Sequence, residues 1–247
     1  MGTFPAPSST EVGIWFGTRS VSPAEVARWE SRRAAKALRR LGRPVPDGLA
    51  ERRSALAEAK RAEGRAGMER RFARQIALSD RFTGLLARLS GGRRRLSQVQ
   101  LFVPGATAED VISWYLDRMA ADDESVFLRV CPDHHLFRTT PDGGQEVWET
   151  TGGAPFASRF FFAGLDAAST EVVTPADPSY PVQMAGGARL ADGTLIGSIR
   201  HQFRNENGGV RASFTVEMPW LIGPALTSAH RWHLACEFIP WIEPAAG

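Results

Sequence analysis

His230, His233 and Glu237 fall at i, i+3 and i+7, so on a helix all three side chains leave from one face. Neutral imidazole and carboxylate are good zinc ligands. Neighbours at i, i+4 such as His233 and Glu237 can reach one ion. All five histidines of the 247-residue chain lie beyond residue 133. Two of them, His134 and His135, sit in the run Pro132-Asp133-His134-His135, and Glu149 ends a strand before Gly152-Gly153. If both strand ends meet a C-terminal helix, His135, Glu149, His233 and Glu237 make a two-His, two-Glu site. His134 competes with His135 for that role, and His230 with His233; spacing does not choose between them. The competing structural reading is a buried His bonded to a Glu one turn away, with no metal.

His201 alternates with Ile199 and Phe203 in the run 197–204 and shares their face of a strand. It is either a satisfied core histidine or a general acid/base titrating near neutrality. Arg138, three residues after His135, is either an anchor for an anionic or phenolate substrate or a surface ion-pair partner.

These groups have to be positioned by the elements around them. Residues 1–12, rich in Pro, Ser and Thr, read as a strap. Ser22-Pro23-Ala24-Glu25 is a helix start, with Ser at the N-cap and Pro at the first helical position, and predicts a helix over 23–41. A second helical stretch over 48–87 carries Gly64 and Gly67 as candidate breaks. Gly91-Gly92 reads as a linker, dividing the chain into a basic, mostly helical extension (1–95) and a second domain (96–247). In that domain the pattern predicts a strand at 98–103, an amphipathic helix over 107–119, and strands at 125–130, 144–150, 156–164, 170–175, 181–190, 194–205 and 209–218. Asn207-Gly208-Gly209 is a hairpin turn. A helix over 224–239, ended by Pro240, closes the chain. Strand, helix, antiparallel strands and a long last helix is the order of an α+β helix-grip fold. There a curved sheet wraps the final helix around a cavity.

Composition narrows the partners. The net charge of +3 hides 20 Lys/Arg against 7 Asp/Glu in residues 28–95 and 10 against 20 elsewhere. The preferred reading is an Arg-rich helical segment docked on an acidic remainder, because it has no nucleic-acid motif and almost no interleaved aromatics. Two cysteines do not make a disulfide framework, no signal-peptide pattern opens the chain, and no apolar run approaches the roughly 20 residues that span a bilayer. A cytoplasmic location with no membrane partner is expected, with a homodimer through the N-terminal helices as a further possibility.

Several runs, in order, resemble the diacetylphloroglucinol hydrolase family over roughly residues 99–240. They are Phe102-Val103-Pro104-Gly105-Ala106-Thr107, Ser113-Trp114-Tyr115, Pro132-Asp133-His134-His135 and Glu149-Thr150-Thr151-Gly152-Gly153. Ile199-Arg200-His201-Gln202-Phe203-Arg204, Gly208-Gly209-Val210-Arg211-Ala212-Ser213-Phe214 and the final His/Glu helix follow. The resemblance implies Zn²⁺ held by His135, Glu149, His233 and Glu237, with His201 and Arg138 catalytic and Trp114, Phe127 and Arg211 against the substrate. Phe127 stands where the family tends to place a tyrosine, and Arg138 where it has a smaller amide. The implied activity is hydrolysis of an aryl–acyl carbon–carbon bond in an acylated phenolic or polyketide-like molecule. The alternatives are a metal-free helix-grip cyclase or binder of hydrophobic ligands, and a binding module whose functional end is the Arg-rich segment.

Overall fold

The computed structural model describes residues 11–242, so most of the expected 1–12 strap lies outside the described residues. The described residues are α+β and built on one nine-stranded sheet. In chain order the elements begin with strands β1 (Gly13–Phe16) and β2 (Arg19–Ser20) and helices α1 (Pro23–Arg40) and α2 (Leu49–Leu89). Strand β3 (Arg94–Pro104) leads to two further helices, α3 (Ala108–Ala120) and α4 (Glu124–Val130). Then come β4 (His134–Thr139), β5 (Gln145–Glu149), β6 (Ser158–Phe162), β7 (Val182–Arg189), β8 (Leu195–Glu206), β9 (Gly209–Pro219) and the last helix, α5 (Pro224–Ile242).

The sheet order is β2-β1-β3-β9-β8-β7-β6-β5-β4, with every neighbouring pair antiparallel. From β4 to β9 the chain meanders, and then the last strand lies down beside β3, in register from Arg94↔Pro219 to Pro104↔Gly209. Helix α5 returns across the inner face and packs on β3 and on the short turn at Thr151–Gly153. Between α5 and the sheet lies the main core, with Leu101, Phe137, Phe214, Leu234 and Phe238 buried.

A second apolar layer covers the outer face of β4–β6. Leu38 and Leu41 at the α1 end join Leu56, Met68, Phe72 and Ile76 of α2 against Leu136, Trp148 and Ala157. Helix α1 starts at the expected cap: the Ser22 hydroxyl accepts from the Glu25 amide, and the Glu25 carboxylate accepts from the Ser22 amide. Helix α2 breaks at Gly64, whose φ of +60° is left-handed, whereas Gly67 stays helical and buried.

Four expectations change. The boundary at 95 falls inside β3, and residues 13–20 add two strands to its edge, so the N-terminal segment is part of the sheet and not a separate extension. Residues 124–130 are helical despite their β-branched content, because Phe127 wedges between Phe137 and Trp241. No strand forms at 170–175. Helix α5 continues through Pro240 to Ile242, since a proline this close to the end removes only one hydrogen bond.

Candidate metal centre and cavity

Strand β5 alternates cleanly. Gln145, Val147 and Glu149 face the interior between sheet and α5, while Glu146 and Trp148 face the outer helices. Its neighbour β4 does not alternate, because the register shifts between His134 and Leu136. Strict alternation back from inward-facing Phe137 would turn His135 inward. The bulge instead leaves His135 and Leu136 both outward and delivers His134 to the interior. The His135 ring stacks on Phe72 at 4.2 Å and its Nε2 is 2.7 Å from the Thr150 hydroxyl. His134, not His135, faces the site.

From α5, His233 and Glu237 complete the arrangement. His134 Nε2 is 3.7 Å from Glu149 Oε2 and 3.6 Å from Glu237 Oε1. His233 Nε2 is 3.4 Å from Glu149 Oε2 and 3.6 Å from Glu237 Oε2. These separations are too long for good hydrogen bonds. Each is close to the about 3.4 Å that separates two ligand atoms bound about 2.1 Å from one zinc, with Glu237 meeting the two histidines through different oxygens. Both Nε2 atoms are buried and have no hydrogen-bond partner, a costly state for a polar atom that is meant to stay empty-handed.

The opposite ring nitrogens are anchored. His134 Nδ1 is 2.8 Å from the Phe127 carbonyl, to which it donates, leaving a lone pair on Nε2. His233 Nδ1 lies 3.7 Å from Asp133 Oδ2 and 3.7 Å from Cys131 Sγ. Asp133 is in turn gripped by the Arg33 guanidinium, whose Nε and Nη2 lie 2.9 and 2.5 Å from its two oxygens. Metal-bound histidines are typically oriented this way, by a carbonyl or carboxylate on the far nitrogen. Two overlapping trios of buried ligand atoms, Cys131/His134/His233 and Glu149/His230/His233, lie within 4.8 Å of one another and could hold a metal ion. His230 stands to one side: its Nδ1 meets Ser97 Oγ at 3.1 Å, and its Nε2 is 4.0 Å from Glu149. Burial opposes charge on Glu149, but the His233, His134 and His230 imidazoles outweigh it and hold the carboxyl well below its usual range.

Glu149, Glu237 and His230 form one wall of a cavity of about 590 Å³ whose remaining lining is largely apolar, with Tyr115, Phe137, Phe160, Met184, Phe214, Phe238 and Trp241 beside a few polar groups such as Glu217 and Ser198. His201 lies on that lining too, edge-on to Phe214 at 5.1 Å and Phe238 at 5.0 Å. Burial pushes its pKa down to about 4, so the ring is neutral near pH 7, and its Nδ1 has no partner. The Gln145 amide donates to the Tyr115 hydroxyl at the same wall.

Four residues expected at the substrate lie elsewhere. Arg138 points outward, one residue after Phe137, and is held by Glu146 at 2.6 Å and Glu69 at 3.0 Å. Arg211 is on the opposite face of β9 from Phe214, paired with Glu206 and stacked over Trp15. Trp114 and Phe127 sit behind the cavity wall, each packed on Trp241; Phe127 contributes its carbonyl to His134 instead. Asp133, Tyr115 and Gln145 were not singled out from sequence. Asp133 was visible next to His134, whereas Arg33, 100 residues away, carried no sequence sign of its role.

No protein-family model matches the chain, and no curated protein matches it significantly. Among solved structures, it is similar to Protein Ms6760 from Mycobacterium smegmatis, with 12% identity over 61% of this chain and 88% of that one, at a TM-score of 0.34. A similarity at that level leaves the family of this chain undefined.

Proposed function

We propose that this chain is a zinc-dependent hydrolase of helix-grip type that cleaves an aryl–acyl carbon–carbon bond in an acylated phenolic or polyketide-like molecule. The observation that carries it is the ring of His134, Glu149, His233 and Glu237 beside a large apolar cavity, with both inner Nε2 atoms unpartnered. The pairing of β3 with the last strand, the two helices before β4 and the crossing of α5 support the helix-grip assignment.

When bound, zinc supplies Lewis-acid polarisation of a ketone oxygen and acidifies water. The chain itself does the rest. Phe137, Phe214, Phe238 and Trp241 hold an aromatic ring and keep bulk water out. Hydrolysis places a hydroxyl on the acyl carbon and a proton on the ring carbon. His201 is the group on the lining suited to hold and pass that proton, at an Nδ1 that no protein group occupies. Arg138 is excluded from this role by its two carboxylate partners.

The test is metal analysis together with turnover of an acetylated polyphenol. About one zinc per chain is expected, lost in His134→Ala and Glu149→Ala and kept in His135→Ala, with acetate released only by zinc-loaded protein. A wild-type protein that takes up no zinc after reconstitution would leave a metal-free ligand binder, a reading that the almost wholly apolar cavity walls favour.

A further inference from the structure

Leu78, Phe82, Leu85 and Leu89 recur at intervals of four, three and four along the second half of α2, so they share one face. Each is between 50% and 61% exposed, unusual for four large apolar side chains in a row. Arg74, Arg81 and Arg88, seven residues apart and all exposed, border one side of this stripe. Beyond the helix end, Arg95 lies 3.9 Å and Arg93 5.9 Å from the ring of Trp220, which is itself exposed beside exposed Leu221.

The stripe is continuous with the cavity. Leu78 and Phe82 line it as well as the surface, and so does exposed Phe156. An apolar path therefore leads from the outside of α2 to the interior. Of the acids near the stripe, Asp80 is 2.9 Å from Arg159, and Asp192 is 3.9 Å from Arg88.

We propose that this face of α2 docks on a membrane surface bearing anionic lipids, and that a hydrophobic ligand enters the cavity from the bilayer between Leu78, Phe82 and Phe156. An apolar helix face bordered by arginines, with an aromatic anchor nearby, is the pattern of an element lying in the interfacial plane. The lack of a membrane-crossing helix among the described residues bears on spanning, not on surface attachment. A second copy fits the stripe less well. Antiparallel pairing about a two-fold axis sets like flank against like flank, bringing the Arg81 and Arg88 side of one helix against the same side of its mate. The inference goes beyond the hydrolase reading and does not require the metal, so vesicle binding is measured on zinc-free and zinc-loaded protein alike.

The full chain is sedimented with phosphatidylcholine vesicles, with and without phosphatidylglycerol. Binding is expected only with the anionic lipid, weakening as salt rises. Phe82→Ser/Leu85→Ser and, separately, Arg81→Glu/Arg88→Glu should each weaken it by about tenfold or more. All these side chains are exposed, and an unchanged thermal midpoint identifies variants that still fold. Equal sedimentation with both vesicle types, or full binding by a folded Arg81→Glu/Arg88→Glu variant, overturns the proposal. So does a wild-type dimer that Phe82→Ser/Leu85→Ser converts to monomer without affecting vesicles.

Discussion

At the residue scale, neighbouring histidines in the same short run have opposite surroundings. His134 presents an unpartnered Nε2 to two carboxylates, whereas His135 Nε2 meets Thr150, its ring is covered by Phe72, and its own unpartnered Nδ1 has no carboxylate beside it. Residue types were enough to nominate Glu149, Glu237 and one of the pair His230 and His233, because helical i, i+3/i+4 neighbours and a strand-end carboxylate are local patterns. Choosing between positions 134 and 135 needed a bulge that only strand pairing reveals. Burial of His201 has its own pH signature. Its pKa of about 4 in the fold lies below the usual 6.5, so the unfolded chain binds the extra proton between those values. Stability is therefore fully present above pH 6.5 and falls as pH drops toward 4, by about 3 kcal/mol for this group. Urea titrations across that range should show a shallower acid loss in His201→Gln than in wild type; equal slopes would mean the ring is not shielded from water.

Elements hold these residues through unusual backbone and long-range ion pairs. Gly152, in the turn after Glu149, has φ +54°, and a Cβ there would come within 2.9 Å of the His230 backbone nitrogen. Gly152→Ala should push the turn away from α5 and cost about 2 kcal/mol or more, read as a lower denaturation midpoint. Helix α1 contributes Arg33 to Asp133 and so fixes the far side of His233. Arg33→Ala should lower zinc affinity by about 10- to 100-fold, measured by competition with a chromogenic chelator, while the His134→Ala loss is nearly complete. Helices α1, α2 and α5 and strands β5–β9 were legible from caps, glycine breaks, alternation and turn residues. Residues 124–130 were not, since a run of Val, Phe and Leu suits a strand until Phe137 and Trp241 supply packing partners.

For the molecule as a whole, the opposed charges of its two parts resolve into contacts between them. Arg33 meets Asp133 and Arg65 meets Asp122 and Glu124, while Arg159 and Arg138 return the exchange to Asp80 and Glu69. This agrees with the expectation of a basic helical segment docked on an acidic remainder, but the seam runs through one sheet and not between two domains. Lys60, fully buried, donates to the carbonyls of Leu128 and Cys131 just ahead of the histidine run. A chain limited to residues 96–247 would lose β1, β2 and the helices that cover Leu136, Trp148 and Ala157. Such a truncation should expose apolar surface, bind the dye ANS and lose its cooperative thermal transition; a sharp transition at the wild-type midpoint would contradict the shared core.

The long ladder between β3 and β9 also governs how the protein is made. Its partners stand more than 100 residues apart, so a nascent chain leaving the ribosome carries β3 with an open edge until nearly the last strand emerges. Closing such distant pairs delays assembly relative to helical proteins of similar size. During that interval β1, already synthesised, can cover Gln100–Phe102 on one side of β3, and the whole of the other side stays in need of protection from neighbouring chains.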